Sequence, residues 1–101
     1  MRIPIPPYAK KDAKEALEAR KSLPESRRYG LEREKARALG INSGVERAKQ
    51  IIRSKTLSEP DARRVAAFYD RFKNKRGSRA EGAIDLWGGR RFGRHLSERF
   101  D

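Results

Sequence analysis

Apolar residues recur along this chain at spacings of three and four and do not alternate over any useful length. That is the period of helices with one buried face. Residues 11–23 turn Ala13, Ala16, Leu17 and Leu23 to one side and Lys14, Glu15, Glu18 and Lys21 to the other, with Asp12 suited to the positive end of the helix. Pro24 stops that helix, and residues 26–30 read as a basic turn. Residues 31–39, apolar at Leu31, Ala38 and Leu39, predict a second short helix that ends at Gly40. Residues 45–52 predict a third, with Val45, Ala48, Ile51 and Ile52 inward and Ser43 as its cap. After a turn through residues 54–56 comes the clearest start in the chain. Ser58 can cap, Pro60 is tolerated in a first turn, and Asp61 lies three residues past the cap. This helix runs to residue 73, with Ala62, Val65, Ala66, Tyr69 and Phe72 inward and Phe68 broadening the face. A basic loop over residues 74–78 leads to a helix at 79–87 carrying Ala80, Ala83, Ile84 and Trp87. Gly88-Gly89 breaks it, and residues 91–100 present Phe92, Leu96 and Phe100 one turn apart.

Residues 1–9 hold three of the five prolines, which forgo regular hydrogen bonding. They predict an extended Pro-rich N-terminal arm over residues 1–10, with Ile3, Ile5 and Tyr8 as its partner-docking side chains. The expected fold is all-α: a single small domain of short helices over residues 11–101 behind that arm, with no strands. Its core is expected around Leu57, Val65, Tyr69, Phe72, Trp87 and Leu96.

Charge changes the picture from a generic helical domain to one with a polyanionic partner. Hydrophobic residues make up 36% of the 101 and charged ones 40%, yet the apolar positions cluster enough to build one modest core. The formal net charge is +12, spread evenly over the N-terminal, middle and C-terminal parts. Arginine outnumbers lysine, 17 to 9, and its planar fork suits phosphates and carboxylates. Nucleic acid is the first partner class implied, then an acidic protein surface or anionic lipid. No apolar run approaches the roughly 20 residues of a membrane span, so no membrane association is expected. The first residues do not resemble a signal peptide. A cytoplasmic protein, or one assembled from cytoplasm, follows.

Residues for catalysis are not assembled in the pattern. The chain has no cysteine, which excludes disulfides and thiolate metal sites. His95 stands alone in a basic stretch and reads as a surface residue. Asp61, Asp70, Glu81 and Asp85 are spread among arginines, as on solvated helix faces. Neither a metal site nor a cofactor site is expected, and the chain reads as a non-enzyme. Trp87 sits at helical spacing from Ala80 and Ala83, which reads as core. Tyr8 and Tyr29, the latter next to Arg27 and Arg28, are the aromatics expected to stack on a base.

Three blocks together resemble a known family. Gly40-Ile41-Asn42-Ser43-Gly44-Val45-Glu46-Arg47-Ala48-Lys49-Gln50-Ile51 is similar to a Gly-Thr-x-x-Gly-Val-Ala-Arg-Ala-Arg-x-Leu pattern. Leu57-Ser58-Glu59 then opens a helix that contains Ala67-Phe68-Tyr69-Asp70-Arg71-Phe72, and Leu86-Trp87-Gly88-Gly89 follows before Gly93-Arg94. The order resembles small domains of tailed-bacteriophage proteins, some alone and some attached to head-morphogenesis or prohead-protease-like proteins. The likeness covers residues 40–99. Where that family has an acidic residue after Gly-Gly, this chain has Arg90, Arg91 and Phe92.

The resemblance and the charge together imply a phage-type accessory protein that binds nucleic acid, DNA before RNA, with little sequence preference. Its phosphate contacts are expected from Arg27 and Arg28, from Lys73, Lys75, Arg76 and Arg79, and from Arg90, Arg91 and Arg94. One alternative is a virion or head-assembly protein whose arm docks on the capsid or another acidic phage structural protein. Another is an effector that binds an acidic host protein.

Overall fold

The computed structural model describes residues 1–39 and 43–101. The Gly40 helix stop and the Gly40-Ile41-Asn42 opening of the family-like block lie outside them. The described chain is mostly helical: α1 (Pro7–Lys21), α2 (Arg33–Leu39), α3 (Gly44–Arg53), α4 (Glu59–Phe72), α5 (Ser78–Leu86) and α6 (Gly89–Arg99), with one 3-10 turn at Glu25–Arg27. The caps fall where the sequence puts them. Ser43 accepts from the Glu46 N–H at 3.1 Å, and Ser58 accepts from the Asp61 N–H at 3.3 Å.

Two short strands correct the all-helical expectation. β1 (Arg2–Pro4) pairs antiparallel with β2 (Thr56–Ser58), placing Ile3 opposite Leu57. There is thus no extended arm, and Ile3 and Ile5, expected as docking side chains, face the core instead. Ile3 is 2% exposed and Ile5 is also buried. Tyr8 lies in the first turn of α1. The prolines are placed to permit this. Pro4 ends a strand in a two-stranded ribbon, where one edge needs no donor. Pro7 opens α1, where a missing N–H costs nothing. Ile5 N–H continues the ribbon by donating to Lys55 O at 3.0 Å.

Helix α1 runs through the middle of the domain and packs on α3, α5 and α6, while α4 lies along α6. Its buried positions are all alanine, Ala9, Ala13 and Ala16, which lets neighbouring helices approach closely. Lys10 ties α1 to α3, its ammonium donating to Ile51 O, Ile52 O and Ser54 O at the negative end of that helix. The core is completed by Ile51, Leu57, Val65, Leu86, Phe92 and Leu96. Of the six residues expected there, Leu57, Val65, Trp87 and Leu96 are buried, while Tyr69 and Phe72 are half-buried.

The Trp-Gly-Gly block is a corner. Trp87 ends α5, and Gly88 and Gly89 follow with φ of +98° and +90°, a region costly for any residue with a Cβ. The reversal lays α6 against α4. A Cβ at Gly93 would meet the Tyr69 Cβ at 2.7 Å, so the α4–α6 approach needs glycine there too. No helix of the described residues is long and apolar enough to cross a membrane.

Candidate nucleic-acid interface

The spacing of Phe68 and Phe72 puts both rings on one face of α4. Arg79, Ala80, Ala83 and Trp87 share a face of α5 in the same way. Where these faces meet, a groove of about 560 Å³ opens, closed on its other side by Arg28, Tyr29, Gly30, Leu31 and Gly44. Its floor is apolar and its rim carries Arg28, Lys75, Arg76 and Arg79. No carboxylate lines it, and none among the described residues lies within ion-pair distance of those four cations.

A column of flat groups supports the floor. The Phe72 and Phe68 rings stack at 4.2 Å between centroids, and Phe68 and Trp87 stack at 4.4 Å with only 5° between their planes. The Arg47 guanidinium covers the far side of Trp87 at 5.0 Å. At the other end the Lys75 ammonium stands 4.5 Å over Phe72. Arg47 is itself held by Asp61 at 3.1 Å and Gln50 at 2.5 Å, and its side chain is 9% exposed. Burial pushes the Asp61 carboxyl upward, but hydrogen bonds from Gln50, Arg47 and Arg64 outweigh that and hold it below the usual range.

The arginines of α6 are engaged differently. Arg90 grips Glu81 with Nε and Nη2, at 2.6–3.1 Å, and donates Nη1 to Lys73 O at 2.9 Å and Nη2 to Lys75 O at 3.3 Å. It joins the start of α6 to α5 and closes the carboxyl end of α4. These hydrogen bonds hold the Glu81 carboxyl below its usual range. Arg91 covers the Tyr8 ring at 4.1 Å, and Arg94 pairs with Glu98 at 3.3 Å. With Tyr69 and the exposed His95 they line a shallower hollow.

An acidic group lies beneath that corner. The Asp12 carboxylate occupies the space that a Cβ at Gly89 would need, so it lies against the start of α6, more than one turn into its own helix. Burial, then the charges of Asp12 and Glu81, push the Asp85 carboxyl up to about 6, against the pull of Arg90. Asp12 is also raised, first by burial and then by Glu15.

Of the cations expected to bind phosphate, the fold therefore gathers Arg28, Lys75, Arg76 and Arg79 around one groove. Arg27 is exposed on the adjoining 3-10 turn, and Lys73 leans toward Asp70 at 3.8 Å. Tyr29 corrects the stacking expectation. It is 6% exposed, its hydroxyl donates to Ala16 O at 2.6 Å, and its ring lies against Gly82. Phe68, Phe72 and Arg47 are the residues missed as parts of a site. The i, i+4 aromatic pair on α4 was the available signal, but it reads equally as core. No protein-family profile, curated protein or solved structure matches the chain, so the interface rests on its own geometry.

Proposed function

We propose that this chain is a non-enzymatic, nucleic-acid-binding accessory protein of low sequence specificity, of the tailed-phage type its three blocks resemble. One observation carries the reading. Cations that lie far apart in sequence, Arg28 on one side and Lys75, Arg76 and Arg79 on the other, converge on a rim with no carboxylate among its lining residues. Converged, unpaired charge is what a phosphate backbone requires, and it reads no sequence. Arg91 and Arg94, by contrast, share their hollow on α6 with Glu98. An assembly protein docking through residues 1–10 would have to unfold the β1–β2 ribbon to free them.

The test is a titration of labelled random-sequence DNA, single-stranded and duplex, from low to physiological salt. Binding at low salt should weaken linearly in log salt, by about 0.9 in slope per phosphate contacted on duplex and about 0.7 on single strands. No binding of either form at low salt contradicts the reading.

A further inference from the structure

Duplex and single-stranded DNA offer different things to this surface. A duplex presents phosphates outside and keeps its base faces stacked within. An unpaired strand presents both phosphates and flat apolar rings. The groove between α4 and α5 has features for both. Its volume of about 560 Å³ lies in the range of roughly 300–1,000 Å³ in which pockets enclose small ligands. Its walls are aromatic on α4, at Phe68 and Phe72, and small on α5, at Ala80 and Ala83. That leaves room for something flat.

The aromatic column has one end that can open. Phe68 is covered on both faces, and Trp87 is closed by Arg47, which Asp61 and Gln50 hold in place. Only Phe72 is covered by a movable group, the exposed Lys75 ammonium at 4.5 Å. A lysine has a flexible stem and a compact charge. A cation over a ring at an exposed site is a weaker contact than a base stacked on that ring.

Resting on the nucleic-acid reading above, we propose that this groove seats an unpaired base of single-stranded DNA. The base stacks on the outer face of Phe72 in the place of the Lys75 ammonium. Lys75 moves to a flanking phosphate, which it shares with Arg76, Arg79 and Arg28. The Tyr29 hydroxyl is committed to Ala16 O, and the other neutral polar group of the lining, the Trp87 indole N–H, belongs to the far end of the stack, beyond Phe68 from Phe72. A base seated on Phe72 thus meets no group there that favours a 2′-hydroxyl over its absence.

Trp87 is the only tryptophan and lines the groove, so its fluorescence reports occupancy directly. The experiment titrates the full chain with oligothymidylate, oligouridylate and a duplex of equal phosphate number at one low salt concentration. It follows both anisotropy of the labelled strand and Trp87 emission. The parent and Ala83→Leu, which fills the groove, are compared after circular dichroism shows the variant folded. Oligothymidylate should bind about tenfold tighter than duplex, one base's worth of stacking, and should change Trp87 emission where duplex does not. Ala83→Leu should bring the single strand down to the duplex affinity and leave the duplex unchanged. If Ala83→Leu fails to fold, the emission of the parent decides alone. Equal affinity for both forms with silent Trp87 overturns the base seat and leaves the nucleic-acid reading standing. Tighter binding of oligouridylate overturns the assignment to DNA. Binding of no nucleic acid overturns both readings. In that case a change in Trp87 emission with an acidic peptide bearing one Phe gives the groove to an acidic protein instead.

Discussion

The groove rim and the α6 face carry similar numbers of arginine and lysine, but their charges are in different states. On α6 the cations are close together in sequence, and each is engaged within the fold: Arg90 with Glu81, Arg91 over Tyr8, Arg94 with Glu98. Around the groove Arg28 joins Lys75, Arg76 and Arg79 from a distant segment, and none of the four makes an ion pair among the described residues. Density of charge along a chain is thus a poor guide to available charge. An arginine that builds a helix junction, as Arg90 does, spends its charge on a carboxylate, whereas Arg28, Arg76 and Arg79 of the rim each donate to a backbone carbonyl and keep their charge for a partner.

The largest expected effect tests what the two regions share. Trp87 floors the groove and ends α5 just before the Gly-Gly corner that launches α6. Trp87→Ala should cost about 3–5 kcal/mol of stability, read as the shift of a denaturant midpoint. A variant that melts like the parent would separate the regions and remove Trp87 from the core.

Arg90→Ala comes next. It removes the fork on Glu81 and two bonds to carbonyls at the end of α4, and should cost about 1–3 kcal/mol. DNA affinity of the folded variant should change by less than one phosphate contact. A variant of parental stability with much weakened DNA binding would make Arg90 a contact residue after all.

A smaller effect concerns the acids beneath the corner. Asp85 faces Asp12, Glu15, Glu81 and Arg90, and its carboxyl is raised to about 6. The folded state therefore holds a proton that the unfolded chain releases near pH 4. The stability this contributes is present at low pH and lost as pH rises through about 6. Asp12 shifts in the same direction, while Glu81 and Asp61 are lowered and cost stability only when pH falls below the carboxylate range. From pH 5 to 7.5 the parent should lose on the order of 1 kcal/mol after solvent screening. Asp85→Asn should flatten that loss and be the more stable form at pH 7.5. Thermal melts across the range check both, and a parent that gains stability with rising pH contradicts the assignment.

Most helices were legible because they have a regular apolar face and local stops; in α2 the buried residue is Ala36, while Ala38 and Leu39, the apolar positions read there, are exposed. Ser43, Ser58, Pro60 and the Gly-Gly break act within a few residues, and the caps form as read. The ribbon was not legible. Ile3 finds Leu57 more than fifty positions away, and two strands of three residues leave no alternation to detect. Prolines at 4, 6 and 7 signal a free arm locally, but long-range pairing decides their role. The same limit applied to the site. Arg90 looked free because Glu81 is nine positions distant. Phe72 looked like core because nothing local says that only Lys75 covers it.

The central claim is that the rim of the groove, and not the cluster on α6, carries the charge a nucleic acid meets. The direct measurement is the slope of log K against log salt for single-stranded DNA, in the parent and in two triple variants. One replaces Lys75, Arg76 and Arg79 by Ala; the other replaces Arg90, Arg91 and Arg94. With about 0.7 in slope per phosphate on single strands, the rim variant should flatten the slope by roughly 2. The α6 variant should flatten it by roughly 0.7 or less, and lose stability through Arg90. A slope flattened mainly by the α6 variant, with the rim variant unchanged, contradicts the account.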